Sequence, residues 1–453
     1  MIKSVNLDMS RIHNDSTTVK AYGKIGGITK NGLKMAHGKN KEHRPDLAQL
    51  VFSLTISSDG AVPVHYKTYL GNRTDDTTHI ETWDAVRKIA GTNNFTYVAD
   101  CKVCTSKQLS YIVANGGRVI TIMPDTWKES KIFKDSLRSK KISKKMILKR
   151  QIPESAPDFE YFSLFSGEYT TLGEGYIIYW YCSSQKRKLD SLRRDKRVQK
   201  ADRRLLDLSS KLNKAKLKTI EQIREEIDSI LNKYKVKAFF NITICENTEK
   251  IKGQIGKGRL GPNTKYESLA KTRYSLIWEL NKKRLIQEGN VDGIFPLFTT
   301  DKSFRAKEVL LSYKYQPRLE KRFNQFKSVH EAAPLLFKNI ERVEAIMFLF
   351  FVALIIQGVI ERKVRLAMKE QGIKSLPIYP EYHKSFYPTT SKIFYNFDGI
   401  FSYKIIKDGK VIKEFKDSLS STQKIILGLL DMDENQYWGI ATNNNKQKLI
   451  QEK

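Results

Sequence analysis

Cysteine is scarce in this chain: four in 453 residues, at positions 101, 104, 182 and 245. That is too few for a disulfide-stapled scaffold and suits a reducing compartment. The pair Cys101-x-x-Cys104 has no second such pair and no histidine at ligand spacing, which argues against a zinc or redox centre. Acidic residues are few beside basic ones, 49 against 80, leaving a net charge of +31. That surplus points to a polyanionic partner, nucleic acid first, because Lys and Arg neutralise phosphates with release of counterions. The opening "MIKSVNLDMS" lacks the apolar stretch of a secretory leader. Long apolar runs are lacking too. The longest is "AIMFLFFVALII", residues 345–356, and twelve residues fall short of the roughly 20 that span a bilayer. It predicts a buried helix, no membrane partner, and a cytoplasmic, nucleoid-associated location.

What is present is an alternation of strand-like and helix-like segments. Residues 3–7 ("KSVNL") predict a short strand ending at Asp8. Residues 49–57 and 61–69, joined by Ser-Asp-Gly, predict a hairpin. Residues 77–91 predict a helix, with Thr78 and Glu81 spaced as a capping box and Gly91 as its stop. Asp75 and Asp76, just before it, fit N-capping better than a paired-acid site. A strand at 95–100, a helix at 105–117 and a strand at 118–123 complete an α/β unit over residues 1–125.

From 126 to 290 the chain becomes aromatic and β-rich, as in "GEGYIIYWYC" and "VKAFFNITIC". Between those segments, 184–235 predicts a basic helical hairpin. Leu205, Leu208 and Leu212, then Ile220, Ile223, Ile227 and Ile230, form its apolar seam, and Thr219 with Gln222 a second capping box. Its other face is "KRKLDSLRRDKRVQKADRR", either a solvated surface or a phosphate-contacting one. Strand character returns at 292–300, and two helical segments, 301–316 and 317–333, divide at Pro317. The buried helix closes a second core segment, 291–375, and a C-terminal region, 376–453, holds a hairpin at 400–415. "GQIGKGRLG" (253–261) lacks the spacing of a phosphate-binding P-loop and reads as a turn or a DNA-contact loop.

Two carboxylates, Asp8 and Asp100, each follow an expected strand. If those strands are neighbours, the two acids converge at one end of a sheet, and hard cations such as Mg²⁺ or Mn²⁺ require such oxygen donors. Asp15, in the same first segment, is the alternative to Asp8. Glu320, seven residues before Lys327 on an expected helix, could supply a third acid with a phosphate-binding cation beside it. His43, Arg44 and Asp46 fit a structural loop as well as a site.

The segment "YKYQPRLEKRFNQFK" holds Tyr313, Gln316, Glu320 and Lys327 at the spacing of a Tyr-Arg-Glu-Lys signature, with Gln316 where Arg is usual. It resembles the insertion-sequence DDE transposases of the large bacterial group numbered four. "NLDMSRIHNDSTTV" and "YVADCKVCT" resemble that group's first and second aspartate segments, and "HRPDLAQLVF", "GNRTDDTTHIETWDAV" and "SSQKR" resemble one of its subgroups. The resemblance implies an α/β, ribonuclease-H-like catalytic core interrupted by a β-rich insertion domain, here 126–290 with the basic helical hairpin. It implies Asp8, Asp100 and Glu320 as catalytic, metal-binding residues with Mg²⁺ or Mn²⁺ as cofactor. Tyr313, Gln316 and Lys327 would hold the DNA end, Gln316 more weakly than Arg because it lacks the charged fork. Implied partners are transposon ends, target DNA and a second copy of the chain in the DNA complex. Implied chemistry is end cleavage followed by strand transfer. Relatives carry an N-terminal region before the core, whereas seven residues precede Asp8. The alternative reading is therefore a truncated DNA-binding remnant, or an inhibitor of a full-length transposase.

Overall fold

A computed structural model describes residues 2–23, 25–38, 44–74, 77–151, 158–214, 217–255, 266–329 and 335–439. His43, Asp75, Asp76 and most of the 253–261 loop lie outside the described residues. The chain forms two compact units, one from Met1–Ile122 with Thr299–Lys453, the other from Met123–Phe298. It is a mixed α/β protein. The residues expected as a separate C-terminal region group with the first unit.

The first unit opens with strands β1 (Arg11–Lys20), β2 (Gln49–Ser57) and β3 (Pro63–Leu70), then helix α1 (His79–Ala90), β4 (Thr96–Ala99), α2 (Ser106–Ala114) and β5 (Arg118–Ile122). The strand order is β3-β2-β1-β4-β5. β1 and β3 run antiparallel to β2, whereas β4 is parallel to both β1 and β5. β1 breaks the usual alternation, because three of its buried residues are the polar His13, Asn14 and Thr17. Asn14 is buried because its amide donates to Ser53 Oγ, Leu54 O and Thr55 Oγ1 on β2. The expected capping box on α1 is not formed. Thr78 makes no side-chain cap, and Glu81 pairs instead with Lys67 on β3.

The second unit contains α3 (Lys128–Ser139), β6 (Lys144–Gln151), β7 (Phe159–Phe165), β8 (Tyr169–Thr170), β9 (Ile177–Ser183), α4 (Ser184–Lys211), α5 (Ile220–Tyr234), β10 (Phe240–Gln254), β11 (Tyr266–Leu280), α6 (Lys282–Gly289) and β12 (Ile294–Thr299). Strands β12-β9-β7-β6 neighbour one another in that order, and β10 and β11 form a separate ribbon. The helical hairpin is α4 with α5. Its seam residues Leu205, Leu208, Leu212, Ile223, Ile227 and Ile230 are buried in one cluster with Phe240 and Leu276 of the ribbon. Thr219 and Gln222 close the capping box that starts α5.

The chain then returns to the first unit with α7 (Ala306–Tyr313), α8 (Pro317–Asn324), α9 (Ile340–Glu370) and α10 (Thr390–Tyr395). The hairpin β13 (Ser402–Lys407) and β14 (Lys410–Lys416) turns at Asp408 and Gly409, both at positive φ. Helices α11 (Ser421–Leu429) and α12 (Glu434–Tyr437) follow. Pro317 sits at the first turn of α8, where its missing N–H costs nothing. Leu319 and Phe323 of α8, Phe326 beyond it, and Val343, Met347 and Leu354 of α9 cover the β2 face made by Leu50, Phe52, Leu54 and Ile56. Trp83 of α1 packs with Phe95 and Tyr111, and His79 meets Tyr97, on the opposite face.

The expected buried helix is α9, and it is buried only in part. The twelve apolar residues belong to a helix of 31, which is long and apolar enough to cross a membrane by length and composition. One stripe, from Val343 through Met347, Leu354 and Gly358 to Val364, is buried. Phe348, Leu349 and Ile356 are more than half exposed.

Candidate active site

The register of β1 and β4 decides which carboxylates meet. Arg11 lies level with Thr96, Ile12 with Tyr97 and His13 with Val98. Two further steps along these parallel strands bring Asp15 level with Asp100. Neighbouring strands lie about 4.8 Å apart, and side chains level with one another share a face. His13, two residues before Asp15, faces α8: its ring lies 4.9 Å from that of Tyr315, and its Nδ1 is 3.3 Å from Gln316 Oε1. Asp15 and Asp100 therefore leave the sheet on the α8 side.

Tyr313, at the end of α7, reports on the same place. Its phenol pKa is pushed up by burial first, and then by the negative charges of Asp100, Cys101 and Asp15. Asp100 ends β4 in an extended conformation, and its carboxylate accepts the Lys102 amide at 2.9 Å. That bond caps the short turn Cys101–Val103 and fixes the chain as strand gives way to helix.

Asp8 is not part of this place. Residues 3–7 form no strand; the chain turns over residues 2–6, with Asn6 at φ 45°. Asp8 is exposed and precedes β1. Its carboxylate accepts the Ser10 amide at 2.8 Å and the Ser10 hydroxyl at 2.9 Å, closing the turn that starts the strand. Asp15 lies seven residues further along, midway through β1, which at strand rise sets Asp8 and Asp100 about 20 Å apart. Those two carboxylates cannot share a cation.

Glu320 lies in the first turn of α8 and is exposed. With Leu319, Arg322 and Phe323 turned into the core, helix geometry puts Glu320 on the flank that Gln316 occupies one turn earlier. Among the described residues, no three His, Cys, Asp or Glu side chains form a group able to hold a metal. Glu320 therefore does not join Asp15 and Asp100 in one cluster in this conformation. Lys327 lies not on α8 but in the π-helical turn Gln325–Val329 that follows it, so its spacing from Glu320 is not that of a continuous α-helix.

Gln316 is engaged inside the protein rather than presented to a ligand. Its Nε2 donates to the Asn14 carbonyl at 3.1 Å, leaving Oε1 to accept from His13 Nδ1. This network assigns the Nδ1–H tautomer to His13. His13 Nε2 is buried without a partner among the described residues, and burial lowers the His13 pKa to about 4. The neutral ring is a fixed spacer between β1 and α8.

The orientation of α8 is set by a buried charge network. Arg322 Nε donates to the Ala61 carbonyl at 2.9 Å, and Nη1 lies 3.1 Å from the Glu361 carboxylate of α9. Glu361 also meets Arg365 at 3.3 Å, Gln325 Nε2 at 3.2 Å and the Thr390 amide at 3.1 Å. Phe326 stacks on Phe52 with centroids 4.3 Å apart.

The cysteines pack. Cys104 is buried, its thiol lies 3.4 Å from the Ile122 carbonyl, and burial pushes its pKa up. Arg44 and Asp46 form an exposed local ion pair at 2.7 Å. The chain matches no protein-family model and no curated protein.

Proposed function

We propose that this chain is a DDE-type transposase with a ribonuclease-H-like catalytic core, in which Asp15 rather than Asp8 is the first carboxylate. The observation that carries the reading is the parallel register of β1 with β4, which, continued two residues past its last pair, His13 with Val98, brings Asp15 level with Asp100, the two acids whose charges both reach Tyr313. The strand order β3-β2-β1-β4-β5 in the first unit, with helices on both faces, supports the finer fold reading. Two carboxylates side by side on one face of a sheet, in a chain of net charge +31, suit the cutting and joining of a polyanion.

The donor set fits Mg²⁺ or Mn²⁺, which take carboxylate oxygens. Asp15 and Asp100 would hold the cation, and Glu320 would have to reach it through its own exposed side chain, since α8 is fixed by Arg322 and Gln316. When bound, the cation would neutralise developing charge on a phosphodiester and favour ionisation of the attacking oxygen. The protein's own groups supply position. The Lys102 amide holds the Asp100 carboxylate, and Gln316 ties the start of α8 to the strand that bears Asp15. Tyr313, whose phenol pKa is raised by burial and then by its anionic neighbours, would donate a hydrogen bond to a phosphate oxygen. The protein works as a homodimer on transposon ends and target DNA, in the cytoplasm.

The test is Mg²⁺-dependent nicking of supercoiled plasmid, with Asp100→Ala as the control. Nicking by wild type and loss in the variant support the reading. Salt-sensitive DNA binding without cleavage would favour the DNA-binding remnant instead.

A further inference from the structure

Charge is segregated around helix α4. At 100° per residue, Arg193, Lys196, Arg197, Lys200, Arg203 and Arg204 fall within an arc of about 120°. They span twelve residues, roughly 17 Å of helix, with no acid between them on that flank. The acids Asp195 and Asp202 lie on the opposite flank, where Asp202 accepts the Trp278 indole N–H at 2.8 Å and so faces β11. The third side, Arg194, Val198, Ala201, Leu205 and Leu208, is buried. There Arg194 is locked to Asp292 at 2.6 Å. The basic flank is thus held outward by contacts on both other sides. Among the described residues, Lys196, Lys200 and Arg203 have no ion-pair partner, and all three are exposed.

Like charges at i, i+3 and i+4 destabilise a helix, so this stripe costs folding free energy, which Asp190, 4.0 Å from Arg193, and Asp207, beside Arg204, offset only at its two ends. A partner with regularly spaced anions would offset it. We propose that this face of α4 is a docking surface for the sugar-phosphate backbone of duplex DNA. One turn of helix advances about 5.4 Å and presents one or two cations, a pitch that suits successive phosphates along a strand. A membrane surface is a poorer match, because a helix lying in a bilayer interface needs its apolar side free. The apolar side of α4 is buried against α5 and the β10–β11 ribbon. The stripe lies in the second unit, whereas Asp15 and Asp100 lie in the first, so the inference stands on charge distribution and does not need the carboxylates to be catalytic.

The experiment measures full-length protein binding to a random-sequence 30-base-pair duplex by fluorescence anisotropy across a salt series. The variant is Lys196→Gln with Lys200→Gln and Arg203→Gln. The matched control is Lys404→Gln with Lys407→Gln and Lys410→Gln, on the exposed β13–β14 hairpin. Three lost phosphate contacts reduce the slope of log Kobs against log salt by about 3. The expected result is that reduction in the α4 variant and a change below about 1 in the control. An unchanged slope in the α4 variant, an equal loss in the control, or binding to phosphatidylserine vesicles in place of the duplex would overturn the proposal. Circular dichroism confirms that the variants stay folded. Failure here with intact Asp100-dependent nicking would remove the docking surface and leave the catalytic reading standing; loss of nicking with an intact slope change would do the reverse.

Discussion

Replacing Arg322 by alanine tests whether α8 is held by charge as well as by packing. Both partners of the Arg322–Glu361 pair are almost fully buried, with 3% and 4% side-chain exposure. Removing one member of such a pair costs about 3–5 kcal/mol, because the other charge stays buried. Glu361 keeps Arg365, Gln325 and Thr390 as partners, which places Arg322→Ala at the lower end, about 3 kcal/mol. The Ala61 carbonyl also loses its Arg322 donor, worth about 1 kcal/mol. Glu361→Ala leaves Arg322 and Arg365 facing each other and sits at the upper end, about 5 kcal/mol. Hydrogen exchange followed by mass spectrometry, on peptides covering 49–57 and 317–324, reads the local stability of β2 and α8 even if the two units unfold separately. A double variant with methionine at both positions should recover most of the loss. A cost below about 1 kcal/mol for Arg322→Ala would refute the reasoning and leave the apolar packing of Leu319, Phe323 and Phe326 as the main anchor.

Further consequences concern β1. Burial lowers the His13 pKa to about 4, whereas the unfolded chain titrates near 6.5. The unfolded state binds the proton first, so stability is complete above about pH 6.5 and falls by about 3 kcal/mol as pH drops from 6.5 towards 4. Urea midpoints across that range should show the loss, and His13→Asn should flatten it. Gln316→Ala should cost about 2 kcal/mol by the same measurement, since it leaves His13 Nδ1 and the Asn14 carbonyl unpaired. A cost near zero would show that water replaces the amide there.

Much of the fold is legible in the sequence where apolar periodicity or a cap announces it. Leu205, Leu208 and Ile223 mark the helical seam, Thr219 and Gln222 its second start, and Pro317 the break before α8. The central strand is not legible, because "RIHNDSTTVK" hides its core role behind polar residues. His13 and Asn14 are buried only because α8 and β2 supply hydrogen bonds that no local pattern reveals. That is why an acid after "KSVNL" looks like a strand end, while the acid inside the true strand, Asp15, carries no such signal. Strand register is the information needed, and it is set by pairing with β2 and β4, 29 to 85 residues away. The α1 cap misleads for a similar reason: Glu81 has a tertiary partner, Lys67, that outcompetes the local bond. Gln316 reads as a ligand contact from its place in the signature, yet its amide is occupied by β1.

The most direct test sets Asp15→Asn beside Asp8→Asn in the Mg²⁺-dependent plasmid-nicking assay. Nicking lost in Asp15→Asn and retained in Asp8→Asn is the predicted result, since only Asp15 lies level with Asp100. The reverse pattern, nicking retained in Asp15→Asn and lost in Asp8→Asn, would contradict it.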